Sequence, residues 1–158
     1  MRPLFIAALT TLIAAHSAAA HEFTASDLVI GHPYSFETTA TARTGIGFLT
    51  ITNNGNTPDR LIAVEADFDR VSLHLTEEQD GVARMLPLPD GVEIAPGAVV
   101  SLEPGGLHVM FMGLGGDPFE LGETIPATLV FEKAGPVDVV FYVESRKDGM
   151  KDMDHSNH

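Results

Sequence analysis

The stretch Gly106-Leu107-His108-Val109-Met110-Phe111-Met112 alternates strictly between two kinds of side chain. Read as a β-strand, its period of two puts Leu107, Val109 and Phe111 on one face and His108, Met110 and Met112 on the other. The first face is apolar and suits a core. The second carries an imidazole and two thioethers, soft neutral donors that suit Cu(I) far better than Mg²⁺, Ca²⁺ or Mn²⁺.

Working outward, the neighbouring segments also read as strands. Arg70–Thr76 alternates Val71, Leu73 and Leu75 against Ser72, His74 and Thr76. A turn is expected at Glu78–Gly81, with Val82–Leu86 returning as a hairpin partner. Pro87 and Pro89 make the next connection irregular. Leu28–Gly31, Thr44–Asn53, Arg60–Ala66, Ala98–Leu102, Leu107–Leu114, Ala127–Lys133 and Val137–Glu144 complete the set, divided by Asn53-Asn54-Gly55-Asn56, Pro96-Gly97, Pro104-Gly105-Gly106 and Gly135-Pro136. Eight or nine short strands without βαβ alternation predict an all-β fold, an antiparallel Greek-key sandwich or barrel. No internal repeat or interdomain linker is evident.

The ends differ from this pattern. Met1-Arg2, an apolar run from Leu4 to Ala15, and Ala18-Ala19-Ala20 read as a secretory signal peptide over residues 1–20, cleaved after Ala20. Export to the periplasm is expected. No later segment approaches the roughly 18 unbroken apolar residues of a membrane helix, so no stable membrane insertion is expected. Residues 21–145 form the expected domain, short enough for a single core. Residues 146–158 are charged and without hydrophobic period, a tail that nevertheless holds Met150, Met153, His155 and His158. The formal charge is −13, a surface that repels nucleic acid and anionic lipid. Cysteine is absent, so stability comes from packing and any metal site uses other ligands.

Four positions combine: His74, Met85, His108 and Met110. Met85 follows His74 by eleven residues across the expected turn, which brings it back toward His74. His108 and Met110 are about 6.5–7 Å apart along one face. Two imidazoles and two thioethers make a charge-neutral, four-coordinate shell for Cu(I). Each residue alone has an ordinary explanation, histidine as a satisfied or exposed side chain and methionine as core filler. The combination in an exported chain without cysteine is what points to metal.

The order His74, ten residues, Met85, twenty-two residues, then His108-x-Met110 resembles the periplasmic Cu(I) chaperone family PCuAC. So do Gly47-Phe48-Leu49-Thr50-Ile51-Thr52-Asn53-Asn54-Gly55, Asp59-Arg60-Leu61, Pro104–Leu114 and Leu129–Gly135, a resemblance running from about Ser26 to Val143. The resemblance implies a cupredoxin-like β-sandwich and a Cu(I) site of His74, Met85, His108 and Met110. It also implies delivery of copper to the CuA centre of cytochrome c oxidase, carried on subunit II, or to another periplasmic copper protein. Two departures stand out. Leu75 follows His74 where the family often has methionine, and the gap before His108 is one residue longer, in the region of Pro87–Gly91. Met112 ranks below the four as packing or a supporting residue.

Two accessory features bear on copper. Cleavage after Ala20 exposes His21, whose α-amine and imidazole together can chelate Cu(II). Copper monooxygenases use such a terminus, but a methionine-rich site suits Cu(I) transfer, and no catalytic triad, phosphate loop or carboxylate pair stands out. The expectation is a protein that is not an enzyme. Met150, Met153, His155 and His158 are candidates for a second copper, Cu(II). Two other readings remain: a copper-buffering or resistance protein without a dedicated acceptor, and a β-sandwich interaction module whose His/Met face is ordinary packing.

Overall fold

The computed structural model describes residues 22–146. Eleven strands lie among them: β1 (Glu22–Ala25), β2 (Leu28–Phe36), β3 (Thr44–Asn53), β4 (Asp59–Glu65), β5 (Arg70–Gln79), β6 (Val82–Pro87), β7 (Val92–Ile94), β8 (Val99–Leu102), β9 (Leu107–Met112), β10 (Thr124–Phe131) and β11 (Gly135–Glu144). Hydrogen bonding links them in the order β6-β5-β9-β8-β3-β2-β11-β10-β4-β7, with β1 added to β2 and a further β9–β3 pairing. β3 changes partner along its length. Its first half pairs with β9 and its second half with β8.

Side chains from distant parts of this order enter one core. Ile30, Leu49, Leu73, Val109 and Phe111 join Leu61, Leu129, Phe131, Val139 and Phe141 in a single buried cluster. The sheet therefore folds over on itself into two layers, each burying one face. Gly47 marks how close the layers come. A Cβ there would lie 2.8 Å from ring carbons of both Phe111 and Phe141, so glycine is what lets those rings pack against β3.

The strand pattern departs from expectation in particular places. The sheet is mixed, because β11–β2 and β8–β9 pair in parallel; alternation specifies a strand's face and is silent about its neighbour's direction. β2 continues past Gly31 through a bulge, where His32 adopts φ 46° and the register slips before Tyr34. The bulge takes Pro33, which has no N–H, out of the ladder. The four-residue β1 and the three-residue β7 are additions to the expected set. The β5–β6 hairpin is tighter than the expected turn at Glu78–Gly81: Gln79 pairs with Val82, leaving Asp80 and Gly81 at φ 53° and 76°. Both central residues with positive φ make the two-residue turn that matches strand twist.

β9 anchors the candidate site. Val109 and Phe111 are fully buried, each worth roughly 1.5–3 kcal/mol of apolar burial. Holding that face in the core fixes the direction of His108 and Met110 on the other. β6 sits at one end of the strand order, and all six of its residues are exposed. Toward the other end, the buried carboxylate of Asp59 accepts from the backbone N–H groups of Arg60, Lys133 and Ala134, tying β4 to the β10–β11 turn.

Candidate metal centre

The register of β5 against β9 places His74 directly opposite His108, and their rings stack with centroids 5.8 Å apart and planes 16° from parallel. Directly opposed residues share a face, so the two alternating patterns meet as the sequence implies. Both rings are buried, His108 to 2% exposure.

The hydrogen bonds of His108 define its chemistry. Its Nδ1 lies 3.0 Å from the carbonyl oxygen of Gly106. A carbonyl only accepts, so Nδ1 carries the proton and donates. In the neutral ring, Nε2 then bears a free lone pair. That Nε2 is buried, and it is the one buried side-chain nitrogen or oxygen among the described residues without a hydrogen-bond partner. A buried acceptor left unpaired costs roughly 1–3 kcal/mol, whereas a metal-ligating imidazole needs this arrangement: one nitrogen held by a carbonyl, the other turned to the ion.

His74 is held differently. Its Nδ1 is 3.4 Å from the Ser72 hydroxyl, a long contact. Burial, and secondly the neighbouring His108 ring, hold its pKa below the ordinary imidazole value. The neutral form is favoured, as ligation requires.

The methionines flank this pair. Met110 is one step along β9, opposite Ser72 on β5 and Ile46 on β3, and is partly buried. Met85 lies on β6 opposite Thr76, on the same face and 52% exposed. The rows of Ser72 and Thr76 are four residues apart, about 13 Å on a flat sheet. A single ion reached by both sulfurs therefore requires a curled sheet and a hairpin bent over the histidines. The sheet does curl: one cavity of about 490 Å³ is bordered by Ile46 and Phe48 of β3 and by Thr76, Met85 and His108. Met112 stands apart. It is one further step along β9 beyond Met110, opposite Thr44 and Arg70, and it lines a different cavity with Arg43 and Asp69. Its place is outside the cluster.

Among the described residues no three His, Asp or Glu side chains gather closely enough to hold an ion. On the face of the His74–His108 pair the described residues place two thioethers, Met110 one step along β9 and Met85 on β6, a soft type of donor that suits Cu(I). His21, Met150, Met153, His155 and His158, and the expected signal peptide, lie outside the described residues. Sequence reading passed over the Gly106 carbonyl, Ser72 and Arg146. The alternation around His74 already placed Ser72 on its face, whereas Arg146, on the cavity wall, carried no such signal.

A two-layered β-sandwich of this kind, here with paired histidines between methionines, defines a class, the cupredoxin-like domains. The chain belongs to the LpqE-like family, described as putative lipoprotein LpqE-like, whose pattern matches residues 28–143. The resemblance to PCuAC domains holds at the level of structure. The apo PCuAC domain from PmoF1 is 28% identical, with a TM-score of 0.66, over 79% of this chain and 99% of that domain. The copper-bound PCuAC domain from PmoF2 is 29% identical, with a TM-score of 0.65, over 79% of this chain and 98% of that domain. Cu(I)-bound DR1885 from Deinococcus radiodurans is 25% identical, with a TM-score of 0.60, over 84% of this chain and 87% of that protein. A curated relative, putative lipoprotein Lxx21020 from Leifsonia xyli subsp. xyli, is 39% identical over 61 residues, 39% of this chain. The match spans 36% of that relative's length.

Proposed function

We propose that this protein is a periplasmic copper chaperone that binds Cu(I) through His74, His108, Met110 and Met85 and passes it to an acceptor, with no catalytic role. The observation that carries the reading is the buried Nε2 of His108, a lone pair oriented by the Gly106 carbonyl and stacked beside a second histidine. Copper-bound relatives of the same fold support it. His74, His108 and Met110 form a contiguous set on two adjacent strands. Met85, on the exposed hairpin, is the donor best placed to leave first when an acceptor arrives. Neutral ligands hold the cation without carboxylates, and ligand exchange at one exposed sulfur opens the site for transfer.

The test is an anaerobic Cu(I) titration against a chromophoric chelator. One tight equivalent is expected for the mature chain, lost in a still-folded His108→Ala/Met110→Ala variant. Tight binding indifferent to both substitutions would overturn the assignment. The acceptor in this reading is the CuA centre on subunit II of cytochrome c oxidase. Incubating the Cu(I)-loaded chain with the apo soluble part of that subunit should transfer copper; retention against a competent acceptor favours a buffering role. The organisation that goes with it is a signal peptide over residues 1–20, a copper-binding domain over 21–145 and a tail over 146–158. The His and Met residues of that tail, with His21, are the proposed ligands for Cu(II). Deleting residues 147–158 should remove one Cu(II) equivalent and leave the Cu(I) equivalent in place.

A further inference from the structure

The cavity bordered by Met85, His108 and Arg146 measures about 490 Å³, the size of a small-molecule site. A copper ion alone fills little of it. Part of its lining is apolar: Phe36 packs against Phe48 with centroids 5.7 Å apart, and Ile46 joins them on the wall. His108, on the same wall, carries the buried and unpartnered Nε2. The charges are one-sided. The chain has 22 Asp and Glu residues, yet among the described residues none borders this cavity, whereas Arg146 does.

No carboxylate among the described residues pairs with Arg146. Its guanidinium sits 5.7 Å from the centroid of the Phe36 ring instead, a contact that leaves its planar fork of N–H donors for a bidentate carboxylate. Copper sharpens the imbalance. The four ligands proposed above are neutral, so Cu(I) keeps its whole charge beside a second cation, on a wall without an anion. The complement to such a cavity is an anion with an apolar body. Met85 borders the same space and is 52% exposed, so its place on copper is the one an incoming sulfur can take.

We propose that the cavity is a binding site for a small sulfur-bearing carboxylate, its carboxylate on Arg146, its apolar body on Phe36, Phe48 and Ile46, and its sulfur on Cu(I). The step is a ligand exchange without change of oxidation state: the bond from copper to the Met85 sulfur breaks as the bond to the incoming sulfur forms. Copper then enters or leaves the protein as a complex with a small molecule. The proposal rests on the copper reading above.

Two probes test it, N-acetylmethionine and N-acetylnorleucine, which share a shape and differ in the sulfur. Each is titrated by NMR into the mature chain, metal-free and loaded with one equivalent of Cu(I), beside the Arg146→Gln variant. The metal-free chain should bind both alike, with a Kd on the order of millimolar and shifts at Ile46, Phe48 and Met85. Arg146→Gln, at an exposed position, should weaken both about tenfold and leave the rest of the spectrum in place. With Cu(I) bound, N-acetylmethionine should bind about tenfold tighter than N-acetylnorleucine. No binding, binding indifferent to Arg146→Gln, or equal affinity of the two probes for the Cu(I)-loaded chain would each overturn the proposal, while a Cu(I) equivalent that depends on His108 leaves the carrier reading standing. A Cu(I) equivalent retained in His108→Ala/Met110→Ala would overturn the carrier reading, and the proposal with it.

Discussion

Replacing His108 with leucine should make the metal-free protein more stable and abolish the stabilisation that copper brings. Leucine fills a similar volume, so the change is chiefly one of polarity. It removes a buried, unpaired Nε2, recovering roughly 1–3 kcal/mol. It also removes the bond from Nδ1 to the Gly106 carbonyl, worth about 0.5–1.5 kcal/mol. That carbonyl is not orphaned, because it accepts the Thr76 N–H at 3.0 Å as well. The balance is a gain of about 1 kcal/mol, or about 4 °C in Tm for a domain of this size. Copper at a hundredfold excess over its Kd should add about 2.7 kcal/mol to the native protein and nothing to the variant. Urea unfolding, run anaerobically with and without Cu(I), should therefore show the order of stability reversing. A metal-free His108→Leu protein weaker by 2 kcal/mol or more would refute the reasoning and make His108 a packing residue.

Three other outcomes follow from the same geometry. Met85→Ala, at a position 52% exposed, should cost less than about 0.5 kcal/mol in urea yet weaken Cu(I) in chelator competition; unchanged affinity removes Met85 from the donor set. Asp59→Ala leaves three backbone N–H groups without their acceptor and should cost about 3 kcal/mol, with the Cu(I) stoichiometry unchanged at one. The depressed pKa of His74, due first to burial and then to His108, makes its neutral form a source of stability. That stability is full above the ordinary imidazole value and is lost as pH falls from there through the depressed one. An imidazole NMR titration should find His74 of the apo protein below free histidine, and His74→Gln should flatten that part of the acid dependence.

Much of the fold could be read from alternation because one face of nearly every strand is buried. Thr44–Asn53 appears with its expected bounds, and its inward positions run Gly45, Gly47, Leu49, Ile51, Asn53. Where the chain breaks the period, reading failed. His32-Pro33 looked like an ending and is a bulge, since a register slip preserves pairing that no two-residue pattern encodes. The candidate site shows the same division. Facing of His74, His108 and Met110 follows from strand period alone. The pairing of His74 with His108 is a matter of register, which the order of residues along the chain does not contain. The outer position of Met85, and the separation of Met112 from the cluster, depend on that register too. The cavity wall at Arg146 depends on where the last strand ends relative to β2 and β3.

The exposed strand β6 leaves one edge of the sheet with unpaired backbone groups, a surface on which other chains can add as strands. In the proposed carrier the hairpin bends over an ion and so leaves that edge unburied. Its protection has to be local instead. β6 is only six residues long, carries the charge of Arg84 midway and ends in Pro87, which offers no N–H to an incoming strand. The edge at which the proposed exchange of copper would take place is thus kept from nucleating self-association, at concentrations where an open apolar strand would template aggregates.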